Sequence, residues 1–239
     1  MINVGVNLLS SRKAVKIADK YDNGVWAAVG MHPECLGDKK TGKDENVQEP
    51  EFDVAAYREL AKSSKKVVAI GETGLDYLRL PKNDAKATAI KEKQAKIFQQ
   101  QLALARELDL PVIIHSRLAH EDLIKILQKE AAKKGEIKGV VHCFTGTSAD
   151  ARQYFDLGLY FGLNGIIFKL KQDNIIARLP LERILLETDC PYLSPLPEIK
   201  RNEPRYVIEV AKRVAQIRND SVDTIIESSF ANAKKLFGI

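Results

Sequence analysis

The stretch Val67-Val68-Ala69-Ile70-Gly71-Glu72 is an apolar run, rich in β-branched residues, that ends at a carboxylate. The chain contains six other short, mainly apolar runs. Such a run predicts a strand that is buried on both faces, as in a parallel sheet. Segments with helical spacing separate the runs, and strands that alternate with helices are usually joined as parallel strands through crossover helices. The sequence therefore predicts an α/β fold of the TIM-type (β/α) barrel class.

The predicted elements follow one another in regular order. The seven strands are expected at 2–6, 25–29, 67–70, 112–114, 139–141, 159–161 and 183–186. The helices are expected at 11–21, 54–63, 85–108, 121–132, 149–157, 173–178, 204–218 and 222–237. A stretch at 37–50 is rich in Lys, Asp, Glu and Gly, and the alternation resumes unchanged after it. We therefore expect one domain over residues 1–239, with an exposed insertion loop around 37–50.

The composition excludes several classes of protein. With 45% hydrophobic and 29% charged residues, the chain resembles a globular protein rather than a disordered one. No apolar run approaches the roughly 18 residues of a membrane span, and the N-terminus shows no export signal, so no membrane partner is expected. Three scattered cysteines predict no disulfide framework, which favours a reducing, cytoplasmic compartment. The formal net charge of +5 permits a nucleic-acid partner but does not predict one.

Metal-binding and acid–base side chains follow four of the predicted strands. These residues are Glu72, His115, His142 and Asp189. In a (β/α) barrel the C-terminal ends of all strands meet at one face, which is the catalytic face. One such residue alone would be equally consistent with a hydrogen-bonded loop position. Four of them, at the same end of four strands, predict a site in which imidazoles and carboxylates bind divalent cations and handle protons.

The remaining candidates give weaker signals. His32, in Gly30-Met31-His32-Pro33, follows a predicted strand, but the proline is also consistent with a simple turn. Cys143 and Cys190 are neighbours of proposed ligands and are expected to be structural thiols. The chain contains neither a G-x-S-x-G motif nor a phosphate-binding G-x-x-x-x-G-K-[ST] loop, which argues against covalent serine hydrolysis and nucleoside-triphosphate chemistry.

Four motifs surround the proposed ligands. In chain order they are Gly71-Glu72-Thr73-Gly74-Leu75-Asp76-Tyr77, Pro111-Val112-Ile113-Ile114-His115-Ser116-Arg117, His142-Cys143-Phe144-Thr145-Gly146 and Leu186-Glu187-Thr188-Asp189-Cys190-Pro191-Tyr192-Leu193, the last followed by Arg201-Asn202-Glu203-Pro204. They resemble the signatures of the TatD family of metal-dependent deoxyribonucleases, within the amidohydrolase-like barrels. The resemblance extends over essentially the whole chain and keeps the order of the family.

The resemblance implies a two-metal hydrolase that acts on DNA. Glu72 would bridge two divalent ions (Mg²⁺, Mn²⁺ or Zn²⁺), and His115 with His142 would complete one of the two sites. Asp189 would belong to the other site and would orient or deprotonate the attacking water. Glu72 and Asp189 are therefore the expected catalytic residues.

The resemblance also implies supporting residues. Three basic residues are expected to contact phosphate: Arg117, Lys200 and Arg201. Each of them is equally consistent with a solvated side chain or a structural ion pair. Asp76 and Tyr77 are expected to steady the loop of the bridging carboxylate, and Glu203 is expected to hold the loop that carries Arg201.

One motif of the family is absent. The first strand of the family ends in Asp-x-His-x-His, which supplies two imidazoles to the second metal site, and no His-x-His occurs here. The run at 2–6 resembles the second strand of the family, and seven runs are found where a closed barrel has eight. We therefore expect the first βα unit to be missing, either in the protein or through an incomplete gene model, with a weakened Asp189 site and impaired activity.

Three functions are consistent with these observations. The first is cleavage of DNA phosphodiester bonds by metal-activated water. The second is metal-dependent hydrolysis of a small amide, lactone or phosphoester, because the catalytic face of such barrels does not determine the substrate. The third is a non-catalytic remnant that binds metal or a partner protein.

Overall fold

The computed structural model describes residues 1–36 and 51–239. The insertion loop expected around 37–50 lies outside these residues. The chain divides into two compact units, Met1–Gly139 and Val140–Ile239. The expectation of one domain over residues 1–239 stays a prediction.

The first unit is a parallel sheet with its crossover helices. Its strands are β1 (Ile2–Val4), β2 (Trp26–Val29), β3 (Val67–Asp76) and β4 (Val112–Arg117). They pair in sequence order, each parallel to the next. The helices are α1 (Leu8–Ala18), α2 (Val54–Lys62), α3 (Asp84–Glu107) and α4 (His120–Lys134).

Local sequence explains where these helices begin. The side chains of Asn7, Asp53 and Asn83 each accept a hydrogen bond from a backbone N–H in the first turn of the helix that follows. A cap of this kind satisfies a donor that has no partner within the helix. The core between the sheet and the helices is apolar, with Ile70 and Ile114 fully buried.

The second unit repeats the same pattern. Its strands β5 (Gly139–Val141), β6 (Tyr160–Leu163) and β7 (Ile184–Leu186) are parallel in that order, and β5 begins at the last residue of the first unit. Its helices are α5 (Ser148–Asp156), α6 (Asp173–Ile176), α7 (Val207–Arg218) and α8 (Val222–Phe237). A 3-10 turn, Pro204–Tyr206, precedes α7 where one continuous helix was expected. No helix in the described part of the chain has the length and apolarity needed to cross a membrane.

All seven predicted strands are confirmed in the described residues, but two of them are longer than predicted. The strands β3 and β4 remain paired beyond Gly71, through Gly74 opposite His115, after a shift of register. The φ of Gly74 is +148°, and a Cβ there would lie 2.0 Å from the carbonyl oxygen of His115. Only glycine allows so close an approach. Glu72 and His115 therefore lie within strands rather than in the loops that follow them.

Candidate active site

Glu72 brings two imidazoles together in the first unit. Its Oε1 lies 2.8 Å from Nδ1 of His115 and 3.6 Å from Nε2 of His32. The two rings meet edge to face, with centroids 4.3 Å apart. One ligand atom can be chosen from each residue so that all three lie within 4.8 Å of one another, which is compatible with a single divalent ion. We call these three residues the Glu72 cluster.

Two buried glutamines of α3 hold the backbone on which this cluster is built. Gln101 accepts a hydrogen bond from the N–H of Met31 at 2.8 Å, and it donates to the carbonyl of Met31 at 2.9 Å and to the hydroxyl of Thr73 at 2.6 Å. Gln94 accepts from the N–H of Asp76 at 2.9 Å and donates to its carbonyl at 3.1 Å. Since the glutamines are seven residues apart, they lie on one face of the helix. They fix the chain on both sides of the cluster.

Asp76 is a buried carboxylate behind the cluster. Its Oδ2 accepts hydrogen bonds from Nε2 of His115 at 2.9 Å and from Nε of Arg117 at 2.7 Å. Burial alone would raise the pKa of Asp76, but the hydrogen bonds and the charges of His115 and Arg117 outweigh it and hold the pKa well below its usual range. Asp76 therefore stays ionised and orients both partners.

His115 has a carboxylate at each ring nitrogen. Burial disfavours the charged ring, but the hydrogen bonds to Asp76 and Glu72 and their charges outweigh it and raise the pKa of His115 to about 9. The imidazole is therefore cationic at neutral pH in this arrangement. A divalent ion beside Glu72 would replace the proton on Nδ1, while Asp76 would keep the proton on Nε2 and orient the ring. A carboxylate commonly supports a metal-binding histidine in this way.

His32 differs from His115 in its hydrogen bonds. Its Nδ1 accepts a hydrogen bond from the backbone N–H of Glu34 at 3.1 Å. In the neutral ring the proton therefore lies on Nε2, which faces Glu72. To bind a metal through Nε2, His32 would have to give up the bond from Glu34. The arrangement suits His32 as a hydrogen-bond donor to Glu72 better than as a metal ligand.

Arg117, an expected phosphate contact, and Tyr77, an expected support of the Glu72 loop, each contact carboxylates in the first unit. Nη2 of Arg117 lies 2.6 Å from Asp76 and 2.5 Å from Glu34, so this residue is in a structural ion pair. The hydroxyl of Tyr77 donates to Asp122 at 3.0 Å, and burial together with that carboxylate raises the pKa of Tyr77. Tyr77 therefore joins the end of β3 to α4.

A second cluster forms within the second unit. Nδ1 of His142 lies 2.8 Å from Oε2 of Glu187, and Nε2 of His142 lies 3.6 Å from Oδ1 of Asp189. The same Glu187 oxygen accepts a hydrogen bond from the N–H of Cys143 at 3.1 Å. Glu187 thus holds the proton of His142 on Nδ1 and leaves Nε2 available on the side of Asp189. Two predicted ligands, His142 and Asp189, therefore lie side by side, and His142 is oriented by Glu187, a residue that the sequence analysis did not propose.

Cys143 behaves as the structural thiol that was expected. Burial raises its pKa to about 11, and its Sγ lies 3.5 Å from Oδ1 of Asn164. A thiol with this pKa carries almost no thiolate at neutral pH, so it is a poor nucleophile. All three cysteines are free.

The loop that carries Lys200 and Arg201 is anchored by Asn202. The Asn202 side-chain amide donates to the carbonyl oxygens of Thr188 and Tyr192, each at 2.7 Å. Glu203 was expected to hold this loop, but its carboxylate pairs with Arg205 at 2.9 Å. Lys200 and Arg201 themselves are exposed. Their role as phosphate contacts stays a prediction.

The structure adds two positions that the sequence analysis did not propose, Glu34 and Glu187, and it places His32, a weaker candidate there, beside Glu72. The sequence offered a signal for Glu187, since it precedes Asp189 by two residues at the end of a strand. It offered a further signal in α3, where polar glutamines recur at a spacing of seven on an otherwise apolar face.

Comparison with known proteins covers the whole chain. A family model described as TatD related DNase matches residues 1–238. A Bacillus subtilis protein named as the uncharacterized metal-dependent hydrolase YabD is 37% identical over an alignment of 243 positions, which covers 100% of this chain and 87% of that protein. The 3'-5' ssDNA/RNA exonuclease TatD of Pantoea ananatis is 34% identical over an alignment of 248 positions, which covers 100% of this chain and 88% of that protein.

Solved structures agree with this match. The TatD homologue YJJV from Escherichia coli K12 superposes with a TM-score of 0.83 at 29% identity, over 100% of this chain and 86% of that one. A TatD family hydrolase from Entamoeba histolytica gives a TM-score of 0.79 at 29% identity, over 99% and 83% of the two chains. These likenesses confirm the predicted TIM-type α/β fold. Family model, relatives and solved structures all match over nearly the whole chain, and the chain is therefore a metal-dependent hydrolase that belongs to the TatD related DNase family.

Proposed function

We propose that this hydrolase cleaves phosphodiester bonds of DNA with water as the nucleophile. The observation that supports the proposal most directly is the Glu72 cluster, where a carboxylate and an imidazole converge and Asp76 supports the imidazole from behind. The name of the Pantoea ananatis relative, an exonuclease of single-stranded DNA and RNA, points to the same class of substrate. The three free cysteines are consistent with a reducing, cytoplasmic compartment.

Within the first unit we assign metal binding to Glu72 and His115. A divalent ion held there would polarise a phosphate oxygen and lower the pKa of the water that it binds. His32 would donate a hydrogen bond from Nε2 to the carboxylate of Glu72, which steadies that carboxylate. Glu72 would also be the base nearest to the reacting water.

Within the second unit we propose that His142 and Asp189 can both bind metal, since Nε2 of His142 lies 3.6 Å from Oδ1 of Asp189. The resemblance implied that His142 shares the site of Glu72 and His115 instead, and that assignment stays a prediction. Glu187 would keep Nε2 of His142 unprotonated, which is the state that a ligand requires. Asp189, which is one-third exposed, would accept a proton or orient water. The donor set of imidazoles and carboxylates suits Mn²⁺ and Zn²⁺, while phosphoryl chemistry also commonly uses Mg²⁺.

The test is nucleotide release from a labelled single-stranded DNA in the presence of Mg²⁺ or Mn²⁺. We expect release by the unchanged chain and a loss of about a hundredfold or more with Glu72→Ala, because a metal ligand contributes at least as much as the residues that support it. Glu59→Ala, at an exposed carboxylate of α2, is the matched control and should keep full activity.

Two other outcomes would contradict the proposal. Turnover of a small amide, lactone or phosphoester without release of nucleotides would favour the second function. Tight binding of Mn²⁺ without turnover of any of these substrates would favour a non-catalytic metal-binding protein.

A further inference from the structure

Glu34 is shared by two arginines at the border of the Glu72 cluster. Its Oε1 lies 3.0 Å from Nη1 of Arg79 and 2.5 Å from Nη2 of Arg117. All three side chains reach solvent, with exposed fractions of 28% for Glu34, 48% for Arg79 and 36% for Arg117. Ion pairs between partly exposed side chains, such as the two that Glu34 makes with the guanidinium groups, are individually weak. Another anion can therefore displace the carboxylate of Glu34 from the two arginines.

The two arginines are held differently. Arg117 is anchored from behind, because its Nε and Nη2 both reach the buried Asp76, at 2.7 Å and 2.6 Å. That anchor does not depend on Glu34. Arg79 comes three residues after the end of β3 and pairs with Glu34 from the solvent side. Loss of the Glu34 carboxylate would leave two guanidinium groups, one of them anchored by Asp76, near the position that the carboxylate occupied.

The position of this carboxylate is close to the Glu72 cluster. Oε2 of Glu34 lies 4.0 Å from Nδ1 of His32, whose Nε2 faces Glu72 at 3.6 Å. A single imidazole ring therefore separates the anion position from the proposed catalytic carboxylate. The distance between this anion position and Glu72 suits a backbone phosphate that neighbours the reacting phosphate on the same nucleic-acid strand. Guanidinium groups bind phosphate oxygens as they bind carboxylate oxygens.

We propose that Arg79 and Arg117 form a clamp for a backbone phosphate of the nucleic-acid substrate, and that Glu34 occupies this clamp until the phosphate displaces its carboxylate. The inference rests on the proposed function and adds to it a contact, Arg79, and an internal competitor, Glu34. The alternative is that Glu34 is a brace that holds both arginines in place. The two models predict opposite effects of neutralising Glu34.

The experiment measures binding of a fluorescent single-stranded oligonucleotide in EDTA, by anisotropy, over a range of salt concentrations. Arg79→Ala should weaken binding about tenfold and reduce the slope of log K against log salt by about 0.7, the value for one phosphate contact on a single strand. Arg79→Lys should give an intermediate loss because it keeps the charge but not the planar fork. Glu34→Gln should tighten binding about threefold, since the exposed pairs that it releases are weak.

The matched control is the exposed pair between Arg58 and Glu107, whose Nε and Oε1 lie 2.6 Å apart in the same unit. Arg58→Ala and Glu107→Gln should leave the oligonucleotide affinity unchanged. Weaker binding by Glu34→Gln, as by Arg79→Ala, would show a brace and overturn the clamp. An unchanged affinity in Arg79→Ala would overturn it as well.

A parallel titration with inorganic phosphate separates this inference from the proposed function. If the chain releases no nucleotides but Arg79→Ala weakens and Glu34→Gln strengthens phosphate binding, the clamp stands and the nuclease function fails. If nucleotides are released and the two variants shift the affinity in the same direction, the function stands and the clamp fails. If phosphate binding is the same in both variants and in the unchanged chain, the clamp fails.

Discussion

The protonation of His115 predicts that the metal-free protein loses stability as the pH rises from about 6.5 to about 9. Folding raises the pKa of this imidazole from 6.5 to about 9, because Asp76 and Glu72 hold its charged form against the cost of burial. A group whose pKa is higher in the folded than in the unfolded protein stabilises the fold. This contribution is complete at a pH below the unfolded pKa, and it is lost as the pH rises through the folded pKa. Asp76 stays ionised over this window, since its own pKa is lowered.

The size of the effect follows from the same two pKa values. Their difference corresponds to about 3 kcal/mol of unfolding free energy, at about 1.4 kcal/mol for each pH unit. His115 is mostly buried, with 15% of its side chain exposed, so screening by solvent removes little of it. We expect the loss to begin near pH 6.5 and to be almost complete above pH 9.

Urea titration in EDTA at pH 6, 7, 8 and 9 measures this loss. Trp26, the single tryptophan of the chain, lies in β2 and reports on the unit that contains His115. Linear extrapolation of the transition gives the free energy of unfolding at each pH. His115→Gln should flatten the pH dependence, whereas His120→Gln, at the first residue of α4, should keep it. Stability that stays constant or rises from pH 6 to 9, or a slope that survives in His115→Gln, would refute the reasoning.

Three further results are expected. Binding of Mn²⁺ should release a proton from His115, so the affinity measured by calorimetry should rise about tenfold per pH unit up to about pH 9. Gln101→Ala should lower the unfolding free energy by about 3 kcal/mol in the same urea titration, because it leaves buried backbone groups unpaired. Gly162→Ala should displace the carboxylate of Glu187, since the new Cβ would lie 2.0 Å from its Oε1. Like Glu187→Gln, Gly162→Ala should release His142 from its hydrogen bond and reduce nuclease turnover by about 10- to 100-fold, with little change in KM. Unchanged turnover in both variants would contradict the role of Glu187.

Much of the fold was predictable because its signals are local. Apolar β-branched runs and helical spacing depend only on neighbours in sequence, and all seven strands are found within a few residues of their predicted positions. The ends of β3 and β4 were not predictable in the same way. After an irregularity between Ile70 and Thr73, pairing with β4 resumes and includes Gly74, because β4 supplies the hydrogen-bonding partner.

The site was predictable in its chemistry but not in its pairings. The sequence by itself determined the residue types, since Glu72, His115, His142 and Asp189 follow apolar runs in the order of a known family. Only the tertiary structure decided which groups share protons and charges. Asp76 lies behind His115, and Glu187 behind His142, at 2.9 Å and 2.8 Å.

The physical reason is the range of the interactions. Periodicity and propensity act between residues that are close in the chain, so one sequence reveals them. A hydrogen bond between side chains about 40 positions apart, such as that of His115 with Asp76, depends on distances of a few tenths of an ångström and on the direction of each ring nitrogen. The sharing of Glu34 between Arg79 and Arg117 is of this kind, because it joins a turn after β2, the segment after β3 and the end of β4. The sequence therefore determined the family and the residue types proposed as ligands, and packing of the folded chain decided how those side chains are oriented and paired.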